Sequence, residues 1–158
     1  MILWIILSIG VILIDQLTKL WVVGNIGPQE TINIMPGILD FVYVENKGAA
    51  FSFLANKTYG IIILSVISVL FCVGVIFYMA KFKPKNKLLL CAISLMLGGA
   101  VGNVIDRIIR GFVVDFIEVK FINFPVFNVA DIAITVGAGL MILYVLLFEN
   151  DKKQEEER

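Results

Sequence analysis

The sequence predicts a mainly α-helical membrane protein with four transmembrane helices and a small extracytoplasmic β-cradle lying on the membrane surface. Hydrophobic residues make up 59% of the 158 residues and the mean hydropathy is +0.96, which is too apolar for a soluble domain of this size. Four apolar runs approach the length of roughly 20 residues that crosses a bilayer. Two short segments between these runs alternate apolar and polar residues, which is typical of strands.

The composition narrows the possible chemistry. Histidine is absent, which excludes Ser–His and Cys–His catalytic pairs and zinc sites built on histidine. The formal net charge is zero, so bulk charge gives no information about nucleic-acid or acidic partners. Cys72 and Cys91 lie inside apolar runs and form neither a disulfide framework nor a Cys-x-x-Cys site. We therefore expect no metal, no cofactor and no nucleic-acid partner.

The first apolar run predicts a span over residues 1–24. It has no basic leader and no small-residue cleavage site, so we interpret it as a span rather than a cleaved signal peptide. Asp15 and Lys19 are four residues apart and share one helix face. One interpretation is an interfacial ion pair at the outer end of the span, with Lys19 snorkelling to water. The other is contact with a substrate or a lipid headgroup near a site.

The first outer segment, residues 25–57, contains helix breakers followed by a strand pattern. A Gly-Pro pair at 27–28 and a Met-Pro-Gly run at 35–37 interrupt regular structure. Residues 38–46 alternate and are rich in Val, Tyr and Phe, which predicts a strand in a short sheet or hairpin. Because open sheet edges are not tolerated in lipid, this sheet must lie at the membrane surface or against the helices.

The end of this strand carries Asn46, followed by Gly48. Glycine allows close approach of the backbone, and an asparagine amide both donates and accepts hydrogen bonds. The spacing alone favours an ordinary polar turn at this position.

Two further apolar runs predict the second span over residues 58–80 and the third over 88–108. The loop between them, residues 81–87, carries four lysines and is therefore cytoplasmic by the positive-inside rule. Both termini are then cytoplasmic, and the segments with strand patterns face outward. We expect the charged tail, residues 149–158, to be solvated and frayed.

Small and polar residues occupy different parts of the third span. Gly98 and Gly102 are four residues apart with small residues between them, a pattern that lets another helix approach closely, and we interpret it as packing. Asn103 shares a helix face with Asp106 and Arg107 at the outer end. A satisfied polar cluster at a helix end explains this pattern, and so does a scaffold that positions a catalytic group or a substrate carbonyl.

The second outer segment, residues 109–126, is short. Gly111 ends the third helix, and residues 113–121 alternate as a strand. Pro125 then precedes the fourth span, residues 127–148. Since so short a connection joins them, the third and fourth helices must be antiparallel neighbours.

Asp115 and Asp131 are the strongest functional candidates, because both lie at the outer membrane face. A carboxylate near hydrocarbon is costly and is by default functional when a partner can be named, and here each aspartate is the other's candidate partner. Two carboxyls in one site share a proton, so one can activate water while the other protonates a leaving amine. The alternative is that both lie in surface water without a role. Asn128 lies three residues before Asp131, on the same helix face.

Five motifs occur in order along nearly the whole chain. They are Asp15-Gln16-x-Thr18-Lys19, Asn46-x-Gly48-Ala49-Ala50-Phe51, Gly98-Gly99-Ala100-x-Gly102-Asn103-x-x-Asp106-Arg107, Val113-Val114-Asp115-Phe116 and Phe127-Asn128-x-Ala130-Asp131. This ordered combination is highly specific, and by it the chain resembles the lipoprotein signal peptidases (signal peptidase II).

The resemblance implies a multi-pass aspartyl endopeptidase of the bacterial plasma membrane. Its substrates would be diacylglyceryl-modified prolipoproteins, cut on the N-terminal side of the lipidated cysteine, and globomycin-type peptides would inhibit it. Asp115 and Asp131 match the catalytic pair. Positions that match residues supporting the site or the substrate are Asn46, Gly48, Asn103, Asp106, Arg107, Asn128, Ala130, Asp15 and Lys19.

The approach to the fourth span departs from the expected pattern. It carries no tryptophan, although aromatic residues are expected there, so we assign contact with membrane lipids to Phe121, Phe124 and Phe127. The missing tryptophan affects the expected lipid contact only, and it does not change the chemistry expected of Asp115 and Asp131.

The charged and small residues allow two other functional classes. A small transporter or proton-conducting protein would use Asp106, Asp115 and Asp131 as a relay. These residues gather at one face, whereas a relay needs stations across the bilayer. A non-catalytic assembly factor would use the glycines of the third span to bind partner helices, which leaves the paired aspartates unexplained.

Overall fold

The structure is a computed structural model that describes residues 2–48 and 59–156, with side chains described up to residue 148. Its elements in chain order are α1 (Ile2–Asn25), β1 (Thr31–Met35), β2 (Leu39–Asn46), α2 (Gly60–Phe82), α3 (Lys87–Arg110), β3 (Val113–Val119) and α4 (Val129–Glu156). The four helices of these ranges are long and apolar enough to cross a membrane. The strands form an antiparallel sheet in the order β1-β2-β3. The predicted fold class is confirmed.

Helix α3 lies at the centre of the bundle. It packs against α1, α2 and α4, and it buries a much larger share of its residues than the other helices do. A Cβ on Gly98 would lie 2.8 Å from the backbone oxygen of Ser8 in α1, and one on Gly99 would collide with the backbone oxygen of Ala130 in α4. The small-residue stripe therefore packs α3 against two helices, as the sequence predicted.

Both ends of α3 follow from local sequence. The side-chain oxygen of Asn86 accepts hydrogen bonds from the backbone N–H groups of Leu88 and Leu89, at 2.9 and 3.2 Å, and so caps the first turn. Gly111 follows Arg110 with a φ of 77°, a left-handed conformation that glycine adopts at little cost. The chain turns there into β3, which places this strand beside the C-terminal ends of α1 and α3.

Strand β2 lies between β1 and β3. Its register aligns Val44 with Asp115 and Asn46 with Val113. Side chains of directly opposite residues point to the same face, and residues two positions along a strand return to that face. Asn46 and Asp115 are therefore diagonal neighbours on one face of the sheet.

The opposite face of the sheet packs on the C-terminal end of α1. Val22 of α1 and Ile26, which directly follows α1, form a buried apolar cluster with Val114 and Phe116 of β3. This contact holds the sheet against the bundle, which meets the requirement that a sheet near lipid be covered. It also fixes β3 with Asp115 directed away from α1, because successive side chains alternate between faces.

Two predicted boundaries differ from the structure. Strand β3 ends at Val119 rather than at residue 121, and Phe121 lies beyond it with 68% of its surface exposed. The tail that was expected to fray continues α4 as helix to Glu156. The tail sequence explains this correction, because it is rich in Glu, Lys and Gln, which favour helix, and contains neither Gly nor Pro.

Candidate active site

A cleft of about 190 Å³ opens where β2 and β3 meet the C-terminal end of α3 and the N-terminal end of α4, and Asp115 and Asp131 both line it. Its other lining residues are Asn46, Gly48, Asn103, Arg107, Val113, Phe124, Pro125, Val126 and Phe127. The two aspartates that the sequence singled out thus share one cleft. The next residues of the second motif, 49–51, lie outside the described part of the chain.

Asp115 is held by two asparagine amides. Asn46 donates from Nδ2 to Oδ2 at 2.8 Å, and Asn128 donates from Nδ2 to Oδ1 at 2.6 Å. Burial raises the pKa of Asp115 from 3.8 to about 6; the charge of Asp131 adds to this rise, and the amide donors oppose it. Asp115 therefore stays protonated up to a higher pH than an ordinary aspartate does.

Asp131 lies in the first turn of α4 and is fixed by the way that helix begins. The backbone N–H of Asn128 donates to Oδ2 of Asp131 at 3.1 Å, and the backbone N–H of Asp131 donates to Oδ1 of Asn128 at 2.9 Å. This reciprocal pair is a capping box with Asn128 as the N-cap residue. Asn103 of α3 donates from Nδ2 to the remaining oxygen, Oδ1, at 2.8 Å.

Asn128 joins the two aspartates. Its amide, which is fully buried, donates to Asp115 and also lies 3.2 Å from Oδ1 of Asn103, the residue that donates to Asp131. Among the described contacts, the two carboxylates share no direct hydrogen bond. Asp115 and Asp131 are therefore connected through the side chains of Asn128 and Asn103 and not by a direct contact.

Behind the cleft, Asp15, Lys19 and Asp106 form a charge cluster that is 0% exposed. The ammonium Nζ of Lys19 lies 2.9 Å from Oδ2 of Asp15 and 3.1 Å from Oδ2 of Asp106. Arg110 adds a second cation, with Nε 3.4 Å from Oδ1 of Asp106. Within the described ranges, no group of three or more His, Cys, Asp or Glu side chains is arranged to hold a metal ion.

The ion pair between Asp15 and Lys19 is confirmed, but its expected surroundings are wrong. Lys19 does not snorkel to water, because α3 supplies a second carboxylate, Asp106, inside the bundle. Neither side chain is exposed or lines the cleft. Contact of Asp15 or Lys19 with a substrate or a headgroup stays a prediction.

Some residues of the site were missed from the sequence. Gln16 donates from Nε2 to the backbone oxygen of Gly102 and to Oδ2 of Asp15, both at 3.1 Å. The signal for Gln16 was its position inside a motif with Asp15 and Lys19. Pro125 and Val126 of the cleft lining lie outside the five motifs and had no such signal, whereas Val113 lies inside the fourth motif.

The aromatic side of the cleft consists of Phe124 and Phe127. Their rings contact edge to face with centroids 5.6 Å apart. They also border a groove of about 240 Å³ that runs along α4 beside Asp131. Phe121, the third phenylalanine assigned to lipid, is absent from the lining of both the cleft and this groove.

An apolar groove separates α2 from α4. One part of this groove, about 370 Å³, reaches Asp131 and Arg107, and the other part, about 460 Å³, extends to Tyr78 and Tyr144. Phe71 of α2 borders both parts. Nothing in the uncharged part of α2, residues 60–80, distinguished groove residues from residues that face lipid.

The family model for signal peptidase (SPase) II matches residues 7–147 of this chain. The lipoprotein signal peptidase of Pasteurella multocida (strain Pm70) is 43% identical over an alignment of 158 positions, which covers 96% of this chain and 93% of that protein. The lipoprotein signal peptidase of Streptococcus thermophilus (strain CNRZ 1066) is 41% identical over 137 residues, which cover 87% and 88%.

Solved structures match the fold as well. A bacterial membrane enzyme determined by the in meso method at 2.3 Å resolution superposes with a TM-score of 0.86 at 30% identity, covering 94% of this chain and 90% of that chain. A second, at 1.9 Å resolution, superposes with a TM-score of 0.82 at 31% identity, covering 92% and 93%. With the four apolar helices, these matches identify a multi-pass membrane protein. The resemblance seen in the motifs is confirmed, and the chain belongs to the signal peptidase II family.

Proposed function

We propose that this protein is an aspartyl endopeptidase that removes the signal peptide from diacylglyceryl-modified bacterial prolipoproteins. It cuts on the N-terminal side of the lipidated cysteine. The observation that carries the proposal is the meeting of Asp115 and Asp131 in one cleft, both hydrogen-bonded to Asn128. The relatives named lipoprotein signal peptidase support the class of substrate.

The two carboxyl groups have separate tasks in this mechanism. Asp131, at the N-terminal end of α4 where a negative charge is favoured, takes a proton from water as the water oxygen adds to the scissile carbonyl carbon. Asp115, with a pKa of about 6, gives its proton to the leaving amine as the C–N bond breaks. A proton transfer from Asp131 to Asp115 restores the starting state.

Arg107 and Gly48 line the same cleft and are assigned to the substrate backbone. The guanidinium of Arg107 is a donor for the negative charge that develops on the carbonyl oxygen during the attack. Gly48 has no side chain, so a peptide can approach the backbone closely there. Its own N–H is engaged by Oδ1 of Asn46 at 2.9 Å, which orders the end of β2.

The apolar grooves suit a substrate that is part peptide and part lipid. We assign the signal-peptide helix to the groove between α2 and α4, which reaches Asp131 at its outer end. The diacylglyceryl chains are assigned to the groove along α4 bordered by Phe124 and Phe127. Globomycin-type peptides are expected to inhibit by occupying the cleft.

The lysine-rich loop supports an orientation in the membrane. Residues 81–87 carry four lysines, so we assign this loop and both termini to the cytoplasm. The cleft then lies at the outer face of the bacterial plasma membrane. This is the face at which the lipid-modified cysteine of a prolipoprotein would be anchored.

The test is cleavage of a diacylglyceryl-modified prolipoprotein by purified protein in detergent. Wild type is compared with Asp115→Asn, Asp131→Asn and the control Asp40→Asn. Asp40 is a buried aspartate of the same sheet that pairs with Lys120, at 3.7 Å, outside the cleft. Loss of a general acid or base costs roughly 10²- to 10⁴-fold.

We expect wild type and Asp40→Asn to cut and both dyad variants to lose turnover by at least about 10²-fold while remaining folded. An inert wild type on lipidated substrate would overturn the proposal. Substantial turnover by Asp131→Asn would overturn the aspartyl mechanism.

A further inference from the structure

We infer that the buried Asp15–Lys19–Asp106 cluster positions both catalytic aspartates, by holding the backbone N–H group of the residue that precedes each of them. The inference rests on the proposed function, since it takes Asp115 and Asp131 as the reacting pair. It assigns a positioning role to a cluster that does not touch the cleft.

The two contacts that carry the inference are equivalent. Oδ1 of Asp15 accepts a hydrogen bond from the backbone N–H of Ala130 at 2.9 Å, and Ala130 directly precedes Asp131. Oδ2 of Asp106 accepts a hydrogen bond from the backbone N–H of Val114 at 3.0 Å, and Val114 directly precedes Asp115. Ala130 and Val114 are both 0% exposed, so water does not compete for either hydrogen bond.

Lys19 is the shared element of the two contacts. Its ammonium pairs with Asp15 at 2.9 Å and with Asp106 at 3.1 Å, so one cation from α1 fixes a carboxylate of α1 and a carboxylate of α3 relative to each other. A carboxylate as acceptor makes a stronger and shorter hydrogen bond than a neutral group does. The distance between the two held backbone groups is thereby set by a rigid, charge-paired unit.

Lys19 also determines how the asparagine network is oriented. Its Nζ donates to Oδ1 of Asn103 at 2.9 Å. An ammonium has only donors, so the oxygen of the Asn103 amide must face it and the Nδ2 group must face the other way. That nitrogen is the donor to Asp131, at 2.8 Å. The cluster therefore sets the hydrogen bond to a catalytic carboxylate as well as the backbone beside it.

Gly102 offers a way to disturb this cluster without removing any of its groups. A Cβ at Gly102 would lie 2.6 Å from Oδ2 of Asp15, so Gly102→Ala must displace that carboxylate. Gly139→Ala is the matched control, because a Cβ at Gly139 in α4 meets no atom within 4 Å. Alanine is otherwise the better helix former at both positions.

The experiment measures kcat and KM on lipidated prolipoprotein, together with the thermal unfolding midpoint. We expect Gly102→Ala to lower kcat by on the order of 10²-fold, as a misplacement of about 1 Å does, with KM within about twofold of wild type. Gly139→Ala should match wild type in both constants. A folded Gly102→Ala protein with wild-type kcat overturns the inference.

Asp106 provides a second, independent pair of variants if Gly102→Ala does not fold. Asn at this position retains one oxygen for Val114 and Lys19, whereas Ala retains none. We expect kcat of Asp106→Asn to exceed that of Asp106→Ala by at least about tenfold, the effect of one lost hydrogen bond. Equal kcat values in two folded variants contradict the inference.

Amide hydrogen exchange separates this inference from the proposed function, because it needs no substrate. In Gly102→Ala, the displaced cluster should speed amide exchange in residues 113–115 and 129–131. In Gly139→Ala, which leaves the cluster in place, exchange in these residues should be unchanged. If wild type does not cut the lipidated substrate, the proposed function fails. If wild type cuts but exchange and kcat are unchanged in Gly102→Ala, only the inference fails.

Discussion

Asn128 and Asp131 are bonded to each other twice, because the backbone N–H of each residue donates to the side chain of the other, at 3.1 and 2.9 Å. This pairing starts α4 in the manner of a capping box. The amide of the same asparagine lies 2.6 Å from Oδ1 of Asp115. The side chain of Asn128 thus caps the first turn of α4 and also donates a hydrogen bond to the carboxyl group of Asp115 in β3.

These two tasks of Asn128 can be separated by substitution. Asn128→Ser keeps an oxygen that can cap α4 but has no amide to donate to Asp115, while Asn128→Ala lacks both. We expect both variants to lose most of their turnover, and Asn128→Ser to be more stable than Asn128→Ala by about 1 kcal/mol. Denaturant unfolding and kcat check this together. Wild-type turnover by Asn128→Ser would contradict the role of the amide.

The rate of cleavage should depend on pH in a bell shape, since the active dyad carries one proton. The pKa of Asp115 is raised to about 6, so this group loses its proton, and the dyad its acid, as the pH rises through that value. We therefore expect kcat/KM to fall on the alkaline side of about pH 6 and again in acid, when the dyad takes a second proton. A profile that is flat across this range would contradict the shared proton.

The same pKa shift predicts how stability changes with pH. A carboxyl whose pKa is higher in the folded state than its ordinary 3.8 binds more protons when folded. Its stabilising contribution is present below pH 3.8 and is lost as the pH rises through about 6. Wild type should therefore lose more stability between pH 4 and pH 7 than Asp115→Asn does, and thermal unfolding at several pH values checks the difference.

Asn46 should tune the proton affinity of Asp115. Its Nδ2 donates to Oδ2 of that carboxyl at 2.8 Å, and this hydrogen bond lowers the pKa. Asn46→Ala removes the donor, so we expect the alkaline limb of kcat/KM to move to higher pH. The control is Asn33→Ala, which removes an amide from β1 that donates to Asp40 instead. A limb that moves to lower pH in Asn46→Ala would contradict the contact.

The phenylalanines that follow β3 should differ in their effect on substrate binding. Phe124 lines the cleft and the groove along α4, whereas Phe121 is 68% exposed and lines neither. We expect Phe124→Ala to raise KM by about tenfold or more, as burying an aromatic ring contributes a few kcal/mol, and Phe121→Ala to leave KM unchanged. Steady-state kinetics on lipidated substrate decides between them, and equal KM values would contradict the assignment.

The orientation in the membrane predicts a labelling pattern. In a variant without Cys72 and Cys91, a cysteine introduced as Thr31→Cys should react with an impermeant maleimide in spheroplasts. One introduced as Lys85→Cys should react only in inverted vesicles. The reverse pattern would contradict the assignment of the lysine-rich loop to the cytoplasm.

Local sequence was sufficient for most of the architecture. Apolar runs predicted the helices, because a membrane-length helix needs an unbroken apolar stretch, and Gly111 marked the end of α3 through its left-handed backbone. Asp115 and Asp131 could be chosen because carboxylates are rare and costly near hydrocarbon. Val126 could not be chosen, since an apolar residue that lines a cleft has the same local pattern as one in a core.

By itself, the sequence determined which charges the protein has and that Asp15 and Lys19 share one face of α1. Only the tertiary structure decided that α3 brings Asp106 within 3.1 Å of Lys19, so that the lysine is buried instead of snorkelling. The physical reason is that a buried charge is tolerated only when it is paired, and the second partner comes from another helix. No local pattern contains that partner, because contacts between helices depend on how the whole bundle packs.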